Sequence, residues 1–146
     1  MIMDSGDIVS TLKYATVGSS FLFLTNSYHL YLKKDNLYSL AFFTLFLTSV
    51  NYHYSQNELY ELIDKLVVYI VVIVGGIRLF YNWKHSLLHY FVVATFLGTV
   101  YLYWIGYTQN TCVWHPDRYI SYMFHVMMHA LGCLGHHTIA VLLPLK

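Results

Sequence analysis

Five long apolar segments, separated by short polar stretches, follow one another along this chain. They cover, to within a few positions, residues 14–32, 37–54, 60–80, 86–107 and 119–143. Each approaches the roughly 20 apolar residues that a helix needs to cross a bilayer, and none shows the alternation of a barrel strand. The pattern therefore predicts an all-α fold, a multi-pass transmembrane helix bundle with five spans.

The connections between these segments are short, and no linker, internal repeat or low-complexity tract divides the chain. We therefore expect residues 1–146 to form a single transmembrane domain in which neighbouring helices are antiparallel. Small residues let helices approach closely, within one chain or between copies, which leaves a homo-oligomer open. Four glycines stand in such positions: Gly75, Gly76, Gly132 and Gly135.

The composition supports a membrane location and argues against nucleic acid as a partner. Hydrophobic residues make up 58% of the chain and charged residues 10%, whereas globular proteins average about 25% charged residues. Fifteen Tyr and three Trp suit a protein with two membrane interfaces, where amphipathic rings collect. A net charge of +1 without any basic run lacks the electrostatic footprint of a nucleic-acid-binding protein.

The distribution of Lys and Arg predicts an orientation, because basic residues collect in cytoplasmic loops. In a five-span bundle one side holds Lys33, Lys34, Arg78, Lys84 and Lys146, and the other holds Lys13, Lys65 and Arg118. The prediction is an integral membrane protein with a non-cytoplasmic N-terminus and a cytoplasmic C-terminus. Residues 1–9 contain no basic residue before the first apolar segment, so we do not expect a cleavable signal peptide.

Polar and ionisable residues recur inside the apolar segments as S-x3-H, H-x10-D and H-x3-H. Ionisable groups are costly in a bilayer, so such residues are candidates for a functional site. Five antiparallel spans place the end of the second segment, the start of the third and the first half of the fifth at the same depth. Residues four apart share a helix face. We therefore expect five residues to converge: Ser49, His53, Asp64, His125 and His129.

Simpler interpretations exist for each of these residues. A lone histidine in a membrane helix more often forms a helix–helix hydrogen bond than a metal bond. A second H-x3-H, His85 and His89, opens the fourth segment. It lies at the opposite end of a hydrocarbon core about 30 Å thick and cannot reach His53.

Asp64 lies too deep in its segment to act as a helix cap. We predict a capping box at Ser55 and Glu58, which places Asp64 more than two turns inside the third helix. Glu61 is placed to pair with Lys65 across one helical turn, which removes the nearest cation from Asp64.

The S-V-N-Y-H run from Ser49 to His53 resembles the S-x-x-[YF]-H signature of the alkaline ceramidase superfamily of membrane hydrolases. This superfamily also includes adiponectin-type receptors and lipid-remodelling enzymes of GPI-anchor maturation. Asp64, eleven positions on, is similar in spacing to the ceramidases, and His125 and His129 resemble the H-x3-H of the last helix of the family. The resemblance implies that the three histidines bind Zn²⁺ and that Asp64 and Ser49 are catalytic.

Two features depart from the family pattern. Family members typically have seven helices, and the missing pair would lie between the aspartate helix and the last helix. Because consecutive spans alternate in direction, loss of two of them does not change the direction of the last helix. The H-x3-H helix still enters the membrane from the side that bears His53 and Asp64. Ceramidases also carry an acidic, Trp-containing N-terminal segment that binds calcium, whereas residues 1–9 contain only Asp4 and Asp7. We therefore do not expect calcium regulation.

The resemblance implies zinc-dependent hydrolysis of a membrane lipid that enters from the bilayer, with the amide of a ceramide-like sphingolipid as the first expectation. An acyl ester, as in GPI-lipid remodelling, suits the same chemistry. A non-catalytic receptor or fusion-type protein that retains the metal site is a further alternative. A bis-His membrane haem protein is another, with His53 facing His125 or His129 and a second tier pairing His29 with His89 or His136.

Overall fold

The structure of the protein is a computed structural model that describes residues 5–144, with side chains from residue 14 onward. The interpretations of residues 1–9 and of the charges on Lys13 and Lys146 lie outside the described side chains. Over the described range the fold is all helical, without a β-strand. The first three helices are α1 (Ser5–Leu32), α2 (Asn36–Ser55) and α3 (Glu58–Tyr81).

The second half of the chain forms two further long helices. Helix α4 (Leu87–Val100) continues through a π-helical turn (Tyr101–Ile105) into the short α5 (Gly106–Gln109). A 3-10 turn (Cys112–Trp114) then leads into α6 (Arg118–Leu142). The five apolar segments thus correspond to five long helical stretches.

The predicted capping box of α3 is wrong. Asn57 caps the helix, and its side chain accepts a hydrogen bond of 2.8 Å from the backbone N–H of Leu59. The chain leaves α2 through Gln56 in the left-handed conformation, with φ of 54°. Because the reversal is this tight, α3 begins at Glu58, and Asn57 rather than Ser55 is the residue directly before its first turn.

Contacts at the two ends of the bundle show that the helices alternate in direction. At one end Arg78, in the last turn of α3, forms a bidentate ion pair with Asp35, which precedes α2, at 2.5 and 2.9 Å. At the other end Gln56, between α2 and α3, donates a hydrogen bond of 3.3 Å to the hydroxyl of Tyr122 near the start of α6. The start of α6 therefore lies beside the α2–α3 turn, as the sequence predicts.

Helix α1 lies between α2 and α6, while α3 packs chiefly on α2 and α4 chiefly on α6. Two of the four glycines have the close-packing role predicted for them. A Cβ at Gly75 would lie 2.5 Å from the Tyr38 hydroxyl, and one at Gly135 would overlap Thr95. Gly76 and Gly132 have no such neighbour within 4 Å.

The interior of this bundle holds many polar side chains beside an apolar core, and large apolar side chains also face outward. Helix α1 buries Phe23 and Leu30 together with a set of polar side chains: Thr16, Ser19, Ser20, Asn26 and Ser27. The same helix exposes Phe21, Tyr28 and Tyr31, with more than half of each residue accessible. An amphipathic helix in water instead turns its polar side chains outward and its apolar stripe toward the core.

One helix in the described part of the chain, Leu87–Gln109, is long and apolar enough by composition to cross a membrane, with a mean hydropathy of 1.4. An all-α fold is thus confirmed, and membrane association has compositional support from one helix.

Candidate metal centre

Three histidines from two helices form a cluster at the end of the bundle that contains the α2–α3 turn. His53 lies in the last turn of α2, and His125 and His129 lie one turn apart on α6. One ligand atom from each lies within 4.8 Å of the other two. The Nε2 atoms of His125 and His129 are 3.1 Å apart. The predicted convergence of these three residues, here called the histidine cluster, is confirmed.

The donor set of the histidine cluster fits a metal ion. The Nε2 atom of His53 is buried and has no hydrogen-bond partner, an arrangement that costs free energy in a folded protein. A bound cation would satisfy this atom. Tetrahedral zinc with Zn–N bonds near 2.0 Å holds its ligand nitrogens about 3.3 Å apart, close to the His125–His129 separation of 3.1 Å. Imidazole also suits copper, iron and nickel, so the geometry defines a metal-binding cluster rather than one particular metal.

Ser49 and Asp64 are buried at the same end of the bundle but are not part of the cluster. Ser49, fully buried one turn before His53, lies 2.9 Å from the hydroxyl of Ser20. The Asp64 carboxylate, 9% exposed on α3, accepts a hydrogen bond of 2.8 Å from the hydroxyl of Thr48. Within residues 14–144, the only group of potential ligand atoms this close together comes from the three histidines.

Helix α1 supplies two site residues that sequence reasoning missed. The hydroxyl of Ser19 lies 2.8 Å from Nδ1 of His129, and Ser20 contacts Ser49. A signal for them exists in the sequence, since Thr16, Ser19 and Ser20 place three hydroxyls on one helix face of an otherwise apolar segment. Hydroxyls in helices so often bond their own backbone that this signal alone was weak.

The second H-x3-H motif plays no part in the cluster. His89 is held at the opposite end of the bundle, where its Nε2 lies 2.8 Å from the carbonyl oxygen of Asn82 and its Nδ1 lies 2.6 Å from the hydroxyl of Ser86. His85 contacts the indole of Trp83. The separation of the two motifs by topology is thus confirmed.

The structure gives other partners to the histidines proposed for a second haem tier. The ring of His29 packs on His137, with 4.5 Å between centroids. His136 is hydrogen-bonded to the hydroxyl of Tyr38. His89 bonds the loop between α3 and α4. None of these contacts joins His29 to His89 or to His136.

We found no match to this chain among protein-family models, curated proteins or solved structures. Fold and site therefore define its class: an all-α protein in which three histidines from two helices form a cluster that can hold a metal ion. The resemblance of the motif residues to the alkaline ceramidase superfamily therefore stays a prediction from the sequence.

Proposed function

We propose that all five long helices cross a membrane, with the α2–α3 turn on the non-cytoplasmic side. The polar side chains that α1 buries and the aromatic side chains that it exposes support this. Helix α3 buries Asp64 together with Val67 and Val71, and it exposes a run of aliphatic side chains: Leu62, Leu66, Ile70, Ile73 and Ile77. Exposing such an apolar face to water is unfavourable, whereas contact with the apolar tails of lipids is not.

The chain should therefore remain in the membrane fraction after extraction at alkaline pH, which releases peripheral proteins. Its two cysteines also provide a test of orientation, because Cys112 is partly exposed in the α5–α6 connection and Cys133 is buried. A membrane-impermeant thiol reagent should label Cys112 from the non-cytoplasmic side only. A Lys34→Cys, Cys112→Ser variant should be labelled from the opposite side only, and the reverse pattern in both would contradict the topology.

We further propose that the histidine cluster holds Zn²⁺ and that the protein hydrolyses an acyl bond of a membrane lipid. The observation that carries this proposal is the meeting of three neutral-imidazole ligands, one of them with an orphaned Nε2, at the same end of the bundle as a buried carboxylate and a buried hydroxyl. Three protein ligands are typical of catalytic rather than structural zinc. Zinc supplies Lewis-acid chemistry: it activates water at neutral pH and polarises a carbonyl group.

The residues around the cluster have complementary roles in this proposal. Asp64 accepts a proton from the attacking water and returns it to the leaving group. Its hydrogen bond from Thr48 holds one carboxylate oxygen, which leaves the other for the proton. Ser49 donates a hydrogen bond to the carbonyl oxygen as negative charge develops there, a role worth about 3 kcal/mol at comparable sites.

The position of the cluster within the helices implies a substrate that arrives from the bilayer. Helices α3 and α4 pack mainly on α2 and α6, and in the described part of the chain they make few contacts with each other. This sparse packing supports lateral entry of an acyl chain between them. The amide of a ceramide-like sphingolipid is the substrate that the motif resemblance favours.

The decisive assay supplies zinc-loaded protein with vesicles that contain either a ceramide or a glycerolipid ester of the same acyl chain. We expect fatty-acid release from the ceramide, and its loss when a chelator removes the metal. Release from the ester alone would assign the chain to ester remodelling instead. Bound zinc with no release from either lipid would favour a non-catalytic receptor or fusion-type protein, and a Soret band in the purified protein would indicate haem.

A further inference from the structure

We infer that Ser19 of α1 is a positioning residue that fixes the tautomer and ring orientation of the metal ligand His129. The inference rests on the proposed metal site but not on the identity of the substrate. It extends the site from α2, α3 and α6 to a fourth helix, which carries none of the motif residues.

The hydrogen bonds of Ser19 determine which side chain is the donor in its contact with His129. Ser19 is 8% exposed, and its hydroxyl donates a bond of 2.8 Å to the backbone carbonyl of Thr16. A hydroxyl has only one proton. The contact of 2.8 Å to Nδ1 of His129 is therefore one in which the imidazole N–H donates and the Ser19 oxygen accepts.

This assignment has a direct consequence for the histidine cluster. A neutral imidazole that carries its proton on Nδ1 has its lone pair on Nε2. That Nε2 is the atom that lies 3.1 Å from Nε2 of His125. Ser19 thus keeps the His129 lone pair directed into the cluster. Hydrogen-bond acceptors on the far nitrogen of a metal-binding histidine commonly fix its tautomer and ring orientation in this way.

The test measures the zinc dissociation constant of the purified full chain by competition with a chelator, without any substrate. Loss of the group that accepts a hydrogen bond from a metal-binding histidine typically weakens metal binding about 10- to 100-fold, and we expect Ser19→Ala to fall in this range. Ser19→Thr keeps the hydroxyl and should restore affinity to within about threefold of wild type.

A buried serine of the same helix provides the matched control. The Ser27 hydroxyl donates a hydrogen bond of 2.9 Å to the backbone carbonyl of Ser39. Ser27→Ala should leave zinc affinity unchanged. Unchanged affinity in Ser19→Ala would overturn the inference, as would an equal loss in both alanine variants, which would indicate general loosening of α1.

The outcomes separate this inference from the proposed function. Zinc binding that depends on Ser19, with no lipid hydrolysis, retains the positioning role and removes the hydrolase. Absence of zinc binding by the wild-type chain overturns both.

Discussion

We expect the wild-type chain to bind one zinc ion per molecule and the His53→Ala and His125→Ala variants each to lose it. The two residues come from different helices, and both contribute a ligand atom to the histidine cluster. Removing either leaves two imidazoles, which is one ligand fewer than the smallest set typical of catalytic zinc sites. Metal analysis of the purified proteins, in parallel with their helicity by circular dichroism, provides the measurement.

His85→Ala is the matched control for this experiment. It changes one histidine of the second H-x3-H motif, at the opposite end of the bundle, and should retain one zinc per chain. Loss of zinc in His125→Ala with full retention in His53→Ala would mean that α6 binds the metal without α2. The convergence of the two helices on one ion would then be wrong.

Asp64→Asn should abolish lipid hydrolysis while leaving the fold and the zinc in place. The asparagine side chain has the same shape, and its carbonyl oxygen still accepts the hydrogen bond from Thr48 that the carboxylate accepts at 2.8 Å. It cannot take up a proton from water, however, and general-base catalysis typically contributes a factor of about 10² to 10⁴. Turnover with ceramide vesicles and zinc content are measured on the same preparation.

Glu61→Gln is the corresponding control on α3. Glu61 is an acid of the same helix whose carboxylate pairs with Lys65 at 2.6 Å across one turn, and its loss should change turnover by less than twofold, since exposed pairs of this kind contribute little. Normal turnover in Asp64→Asn would exclude Asp64 as the base. Loss of zinc in that variant would instead make the carboxylate a contributor to metal binding.

The sequence predicted local structure well wherever one physical cause, such as the length of an apolar run, dominates. Long apolar runs form helices, and the five predicted segments match the observed helices to within a few residues except at the start of α1, which begins at Ser5. The pairing of Glu61 with Lys65, across one helical turn, is also confirmed. The predicted cap of α3 was wrong, because the choice between Ser55 and Asn57 depends on the number of residues in the α2–α3 turn.

The site was predictable in part because direction alternates along a bundle with short connections. That rule alone places His53, His125 and His129 at one end and removes the His85 motif from consideration. It cannot specify which helices are neighbours across the bundle. The contact between Ser19 and His129 joins residues 110 positions apart, and no local pattern in either segment encodes it.

The sequence by itself determined the helical class, the approximate position of the five long helices and the end of the bundle at which the three clustered histidines gather. These depend on the length of the apolar segments and on the alternating direction of helices joined by short turns. Only the tertiary structure decided that α1 packs between α2 and α6, so that its hydroxyls reach His129 of the histidine cluster and the buried Ser49. It also decided that Asp64 is held by Thr48 outside the cluster. Such pairings depend on how side chains from distant segments fit together. Because the five helices have similar apolar faces, the sequence of each helix does not specify its neighbours.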